Sequence, residues 1–250
     1  MTKGSETHEA APTVLRGQVR ALMRRRETAN FFFTPSDQTA MGGIAIAAAA
    51  AGLGAQAVGT AMTASDLEET ADHLIFWIGD KRCKGWVWRS PIREGDLVEV
   101  VGAPGTDHFE VYAVARPKDR MVALYPHMSR GSKAHWANAL KLWLLGMSLV
   151  SVLAYLTAVT VTGFMEGISA ISQLSFHALI LGGCMVSSLF FLIMTFFLSR
   201  RWMKFVRPAE QIFAALGWPT PERIDLVKSS NRQRLPTDDV MEYGVFYFRY

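Results

Sequence analysis

Two stretches without a single charge constrain this chain more than anything else in it. Leu142–Thr162 (LWLLGMSLVSVLAYLTAVTVT) and Ala178–Leu198 (ALILGGCMVSSLFFLIMTFFL) contain no Asp, Glu, Lys or Arg. A helix rising 1.5 Å per residue needs about 20 apolar residues to cross about 30 Å of hydrocarbon, and each stretch supplies them. Core helices of a soluble bundle would show a polar stripe every 3.6 residues, and neither stretch does. The composition agrees. Half the residues are hydrophobic and 19% are charged, against about 25% in ordinary soluble domains. Residues 131–207 are therefore expected to form a transmembrane helical hairpin with spans at 142–162 and 178–198, and the lipid bilayer is its first partner.

Basic residues set the expected orientation. Arg130, Lys133 and Lys141 precede the first span, and Arg200, Arg201, Lys204 and Arg207 follow the second, while the loop from Gly163 to His177 has no Lys or Arg. By the positive-inside rule both termini face the cytoplasm of a bacterial inner membrane. With no Asp, Glu, Lys or Arg in either span, no ion or proton path is expected. Gly146 in one span, and Gly182 and Gly183 in the other, read as small residues that let helices pack closely. The net charge of +4 over the 250 residues is too mild to demand a polyanionic partner. Two cysteines, Cys83 and Cys184, make neither a disulfide framework nor a CxxC motif.

Residues 1–12 are polar and small and read as a disordered leader. From 13 to 130 short strand-like runs alternate with turn signals: Val14–Met23, Asn30–Phe33, His73–Ile78, Gly85–Trp88, Leu97–Val101, Phe109–Ala115 and Met121–Tyr125. Gly79-Asp80, Glu94-Gly95-Asp96 and Pro104-Gly105 punctuate them. This spacing predicts a small antiparallel β-barrel or sandwich of the SH3 or OB type, so the fold class is an α+β membrane protein. Trp86 and Trp88 lie two apart and are expected in its core, which makes nucleic acid an unlikely partner despite Arg82, Lys84 and Arg89 nearby. Arg24-Arg25-Arg26 reads as a solvated loop or a contact to anionic headgroups. Residues 208–250 form a C-terminal piece, with a short helix from Pro208 and a hydrophobic strand at Val245–Tyr250. A free strand of that kind invites aggregation, so it is expected to pair with a barrel edge.

An Ala/Gly-rich insertion, residues 38–68, interrupts the β-domain. Gly43, Ala47, Ala51, Ala55 and Gly59 recur every four residues, the small-xxx-small spacing of close helix packing. A full crossing is disfavoured, because it would put the two halves of the β-domain on opposite sides of the membrane. A packed helix or helical hairpin, a re-entrant element and a low-complexity insertion all remain open readings.

Chemistry is sparse. There is no Gly-x-Ser-x-Gly, no phosphate-binding loop and no His-Glu-x-x-His. His108, His127 and His135 could in principle ligate a metal or serve a nucleophile, but they fall at a turn and at the neck of the first span. No catalytic, cofactor or metal site is expected, and the protein is read as a non-enzyme.

Five words of the sequence carry a family likeness: Phe31-Phe32-Phe33-Thr34, Gly85-Trp86-Val87-Trp88-Arg89-Ser90-Pro91, Glu94-Gly95-Asp96 with Val98-Glu99-Val100, Ala113-Val114-Ala115-Arg116-Pro117, and Leu124-Tyr125-Pro126-His127. With them the chain resembles a family of proteobacterial inner-membrane proteins labelled type VI secretion system effectors. The resemblance implies a role in interbacterial antagonism, as effector or as protective partner. The expected action is membrane insertion or binding of a protein partner or a second copy. A membrane-anchored binding module, or a membrane-bound hydrolase, are the alternatives.

Overall fold

The computed structural model describes residues 12–29 and 69–250. The Asn30–Phe33 run and the Ala/Gly-rich segment, with Gly43, Ala47, Ala51, Ala55 and Gly59, lie outside the described residues, as does most of the leader. Two compact units are present. One comprises the N-terminal β-domain to Ser129 together with residues 211–219 and 226–250; the other comprises residues 130–210 and 220–225.

The first unit is built on β1 (Thr13–Ala29), β2 (Glu69–Ile78), β3 (Lys81–Val87), β4 (Leu97–Pro104), β5 (Phe109–Arg116) and β6 (Met121–Leu124). Six of the seven strand-like runs are thus strands. β1 is long enough to serve two neighbours, pairing β4 through residues 13–18 and β2 through residues 19–29. β2 pairs β3, β4 pairs β5, and a parallel pairing of β3 with β5 closes a five-stranded barrel in the order 1-2-3-5-4-1. That connectivity belongs to the OB type of Greek-key barrel.

Two glycines make the closure possible. A Cβ on Gly85 would run into the Val111 backbone, and one on Gly102 into the Glu110 carbonyl, so β3, β4 and β5 approach where no side chain intervenes. The core inside is Val19, Leu74, Phe76, Cys83, Val87, Ile92, Val98, Val100, Val111 and Val114, contributed by alternate residues of the strands. Trp86 and Trp88 are absent from it. Burial pushes the Cys83 thiol up to about 11, which marks it as an inert core side chain.

The C-terminal strand behaves as its hydrophobicity demands. β7 (Tyr247–Arg249) pairs antiparallel with β6, extending the sheet past the barrel. It is pinned by Arg249, whose guanidinium meets both oxygens of Asp238 at 3.0 Å and the Gln233 carbonyl at 2.7 Å, beneath the fully buried Tyr243.

The second unit holds α1 (Ser132–Met165), α2 (Ile168–Ile171) and most of α3 (Leu174–Ala215). Both long helices are apolar enough to cross a membrane, with no buried residue across their most apolar windows. They extend well beyond the expected spans. The helix expected to begin at Pro208 is instead the continuation of α3, with Pro208 inside it. The α1 N-terminus is capped by a carboxylate, the Ser132 N–H donating to Glu210 Oε1 at 2.7 Å. α4 (Leu226–Arg232) returns the chain to the β-domain unit.

Candidate functional site: the outer face of the barrel

A strand has two faces, and in β1, β2 and β3 the inner one is filled by core residues. The outer one carries Met23 and Arg25 from β1, His73, Ile75 and Trp77 from β2, and Arg82, Lys84 and Trp86 from β3. The register sets them in rows: Arg25 opposite His73 opposite Trp86, Met23 opposite Ile75 opposite Lys84, and Trp77 between Arg20 and Arg82. Trp77 is 39% exposed and Met23 50% exposed. Trp86 is half-buried, its ring 4.7 Å from that of His73.

This face depends on a bulge in β1. Arg20 pairs with Trp77 and Met23 with Ile75, so three steps along β1 match two along β2. Ala21 absorbs the extra residue with a φ of 51°. The bulge frees two backbone N–H groups, of Ala21 and Leu22, and both donate to the Glu94 carboxylate, at 2.8 and 2.7 Å. Below the bulge Ala21, Met23, Ile75, Trp77, Asp80, Arg82 and Asp107 line an open groove of about 560 Å³.

The electrostatics are those of a surface left wanting anions. Arg20, Arg25, Arg82 and Lys84 make no salt bridge among the described residues. Four acidic residues lie near it: Asp80 in the β2–β3 turn, Asp107 in the β4–β5 turn, Glu27 two residues beyond Arg25 on β1, and Glu110, opposite Lys84 in register and held by His108 Nε2 at 3.0 Å. Burial, and then the charge of Lys84, hold His73 below the usual imidazole range, with Glu27 and Glu110 pulling partly the other way. At neutral pH His73 is therefore an uncharged aromatic ring.

A second polar cluster lies at the opposite end of the β1–β2 ribbon. Asp72, 1% exposed, accepts from Arg26 Nε at 3.1 Å and from the Ser90 N–H at 3.0 Å. Arg89 donates to the Thr70 carbonyl and lies 3.4 Å from Glu242, and its guanidinium stacks over Phe246. Trp88 packs against His127 and Phe246, and His127 Nε2 is 3.0 Å from Glu69 Oε2. Burial raises the Glu69 carboxyl above its usual value. These groups engage one another through hydrogen bonds, ion pairs and ring contacts.

The three histidines are not brought together as one site. His108 pairs with Glu110, His127 with Glu69, and His135 is hydrogen-bonded to the Ser199 backbone in the other unit. Among the described residues no group of three His, Cys, Asp or Glu is placed to hold a metal. The Arg24-Arg25-Arg26 run is strand, not loop. Arg24 donates to the Ser90 carbonyl and Arg26 to Asp72, which leaves Arg25 on the outer face.

In the helical unit, two of the orientation-setting cations are neutralised by acids, Arg130 by Asp225 and Lys133 by Glu222. Lys141 is exposed, Arg200 lies over the Phe196 ring, and Lys204 over Phe205. Arg201 and Arg207 are exposed on α3. Gly146, Gly182 and Gly183 do not sit where helices touch, since a Cβ on any of them would meet nothing within 4 Å. The links between α1 and α3 include two hydrogen bonds, Trp143 Nε1 to the Ser188 carbonyl and Tyr155 Oη with His177 Nδ1, and a ring contact of Trp136 with Phe196 at 5.4 Å.

Reading the sequence for a core pair of tryptophans hid the outer face. The signal that could have found it is the alternation Arg82, Lys84, Trp86 in β3, in step with His73, Ile75, Trp77 in β2. Compared with known proteins, the chain matches no family model, no curated protein and no solved structure.

Proposed function

We propose that this is a non-enzymatic, membrane-anchored binding protein, with the β-barrel as its binding module and the helical hairpin as its anchor. One observation carries the reading: a barrel face with exposed Trp77 and Met23, a second half-exposed tryptophan, and four cations that make no salt bridge among the described residues. Charged side chains elsewhere in the unit are largely engaged, whereas this face is furnished for contact. Trp, Met and Arg are also the residues enriched at interface centres.

Both termini and the barrel lie on the cytoplasmic side of a bacterial inner membrane in this reading, with Lys141, Arg200, Arg201, Lys204 and Arg207 holding the orientation. The protein should stay in the membrane fraction after alkaline extraction, and reporters fused to either terminus should be active only in the cytoplasm. A photo-crosslinking amino acid placed at Trp77 should trap a partner that the same group at Leu97, exposed on β4, does not. Equal trapping at both positions would sink the assignment of this face.

The words shared with type VI secretion effectors support a place in interbacterial antagonism. An effector of this build should depolarise a naive host that produces it in the inner membrane. A protective partner should leave that host unharmed and raise its survival against an armed neighbour.

A further inference from the structure

Resting on the reading of the helical unit as a membrane anchor, we propose that the loop between residues 235 and 245 is a second membrane contact. Val240 and Met241 enter the leaflet on the barrel's side, and Arg232 and Arg234 meet the phosphates of anionic phospholipids.

Among the described residues of the first unit, three exposed large apolar side chains lie on strands, and four, Leu235, Val240, Met241 and Val245, fall in this one loop. Val240 is 76% exposed and Met241 82%, the two highest values among them. The display is built. The Leu235 N–H donates to Asp238 Oδ2 at 2.7 Å, and the Met241 and Glu242 N–H groups donate to Asp239 Oδ1 at 2.7 and 3.2 Å. Arg234 Nη2 donates to the Val240 carbonyl at 3.0 Å.

The same loop sorts its charges. Asp238 faces Arg249, and Glu242 faces Arg26 and Arg89. Asp239, the exposed carboxylate, has one oxygen on the turn's own amides. Arg232 and Arg234 are exposed and make no salt bridge among the described residues. Held at the Val240 carbonyl, the Arg234 guanidinium sits at the base of the apolar crest, which is headgroup level once the crest is among acyl chains. An apolar tip on a cationic base complements an anionic lipid surface. A protein fits less well, because Val and Leu are under-represented at the energetic centres of interfaces. A second copy, related by a two-fold axis through the crest, would set Arg232 and Arg234 against their own counterparts. Two side chains entering about 5–10 Å would hold a free protein only weakly, but a spanning hairpin makes the contact intramolecular. The contact would then fix how the barrel is tilted on the membrane.

The test uses the full chain with Cys184→Ser, which leaves only the buried Cys83. A nitrobenzoxadiazole label is placed on Met241→Cys or on Leu97→Cys, and the protein is reconstituted in phosphatidylcholine vesicles with or without phosphatidylglycerol. The label at 241 should emit at shorter wavelength, more so with phosphatidylglycerol, and should be quenched by a phospholipid spin-labelled near its glycerol. The label at 97 should stay water-like. Arg232→Gln should lower the ratio of inserted to free loop roughly fivefold, and added salt should lower it too. Val240→Asp should return the 241 label to water-like emission with the melting temperature unchanged, since Val240 lies outside the core. Water-like emission at 241 from protein that floats with the vesicles overturns the proposal and leaves the anchor standing. A shift that spin-labelled lipid does not quench, and that grows with protein density, overturns it in favour of a second copy. Protein that does not float with the vesicles overturns the contact and the anchor together.

Discussion

Three consecutive arginines in β1 lead different lives. Arg24 and Arg26 turn toward the barrel end, where the Ser90 carbonyl and buried Asp72 receive them. Arg25, between them, stands on the outer face and makes no ion pair among the described residues. Neighbouring residues of identical chemistry are thus split between holding the fold and facing outward by nothing but the pleat. The same division runs through the whole unit. Arg116, clamped by Asp96 and Asp119, and Arg249, clamped by Asp238, belong with Arg26; Arg82 and Lys84 belong with Arg25. Cations that hold the fold meet carboxylates or carbonyls; Arg25, Arg82 and Lys84 make no salt bridge among the described residues.

The sharpest way to break the comparison is on the closed side. Gly85→Val places a branched side chain where the Val111 backbone already lies. It should cost about 3 kcal/mol or more, read as a large drop in the denaturation midpoint or loss of the folded barrel. Asp72→Ala strands the buried Ser90 N–H and takes away the partner of Arg26. About 2 kcal/mol should be lost in chemical denaturation, discounted because Arg26 itself stays half in water.

Acid should act on the same side. Burial pushes Asp96 and Asp238 up, but hydrogen bonds and charge from Arg116 and Arg93 for the first, and from the Leu235 N–H and Arg249 for the second, outweigh it. Both carboxyls therefore titrate below their unfolded value in the fold. Their contribution is complete above the unfolded value of about 4 and fades as pH falls below it. The melting temperature of the β-domain should drop over that acid range, and Asp238→Asn should make the drop shallower. On the open side Arg25→Ala should leave stability within about 0.5 kcal/mol while weakening whatever the face binds. Smallest of all, Gly146→Ala should change neither membrane insertion nor helix content, because no neighbour stands where the methyl would go.

How far the sequence reveals this division depends on which physical signal encodes it. The two apolar helices were legible because bilayer thickness demands a long uncharged run, and Leu142–Thr162 and Ala178–Leu198 are such runs. Six strands and the docking of β7 were legible from turn residues and hydrophobic punctuation. The outer face was not. Trp86 and Trp88 are two apart and would share a face in an unbroken strand, but β3 ends at Val87 and Trp88 turns away to meet His127 and Phe246. The extra residue at Ala21 also breaks the period of two in β1, so counting alternate residues from Val19 would put Met23 and Arg25 inside. The partners that silence Arg24, Arg26 and Arg89 come from strands and turns far away in sequence, beyond the reach of local pattern. The small residues of the spans misled in the other direction. Spacing alone marks where helices can approach, and here Gly146, Gly182 and Gly183 face open space.

The grip of Glu94 on the Ala21 and Leu22 amides reaches further than the two hydrogen bonds suggest. Strand pairing tolerates a slip of one residue in hydrogen-bond terms, yet such a slip exchanges inside for outside along everything downstream. A carboxylate that accepts the two amides of the bulge is a frame marker: it fixes where the strand loses count, and hence which residues face water from Met23 onward. The identity of the outward surface on β1 is then written in a turn more than seventy residues later, and a change at Glu94 would rewrite that surface without altering any residue on it.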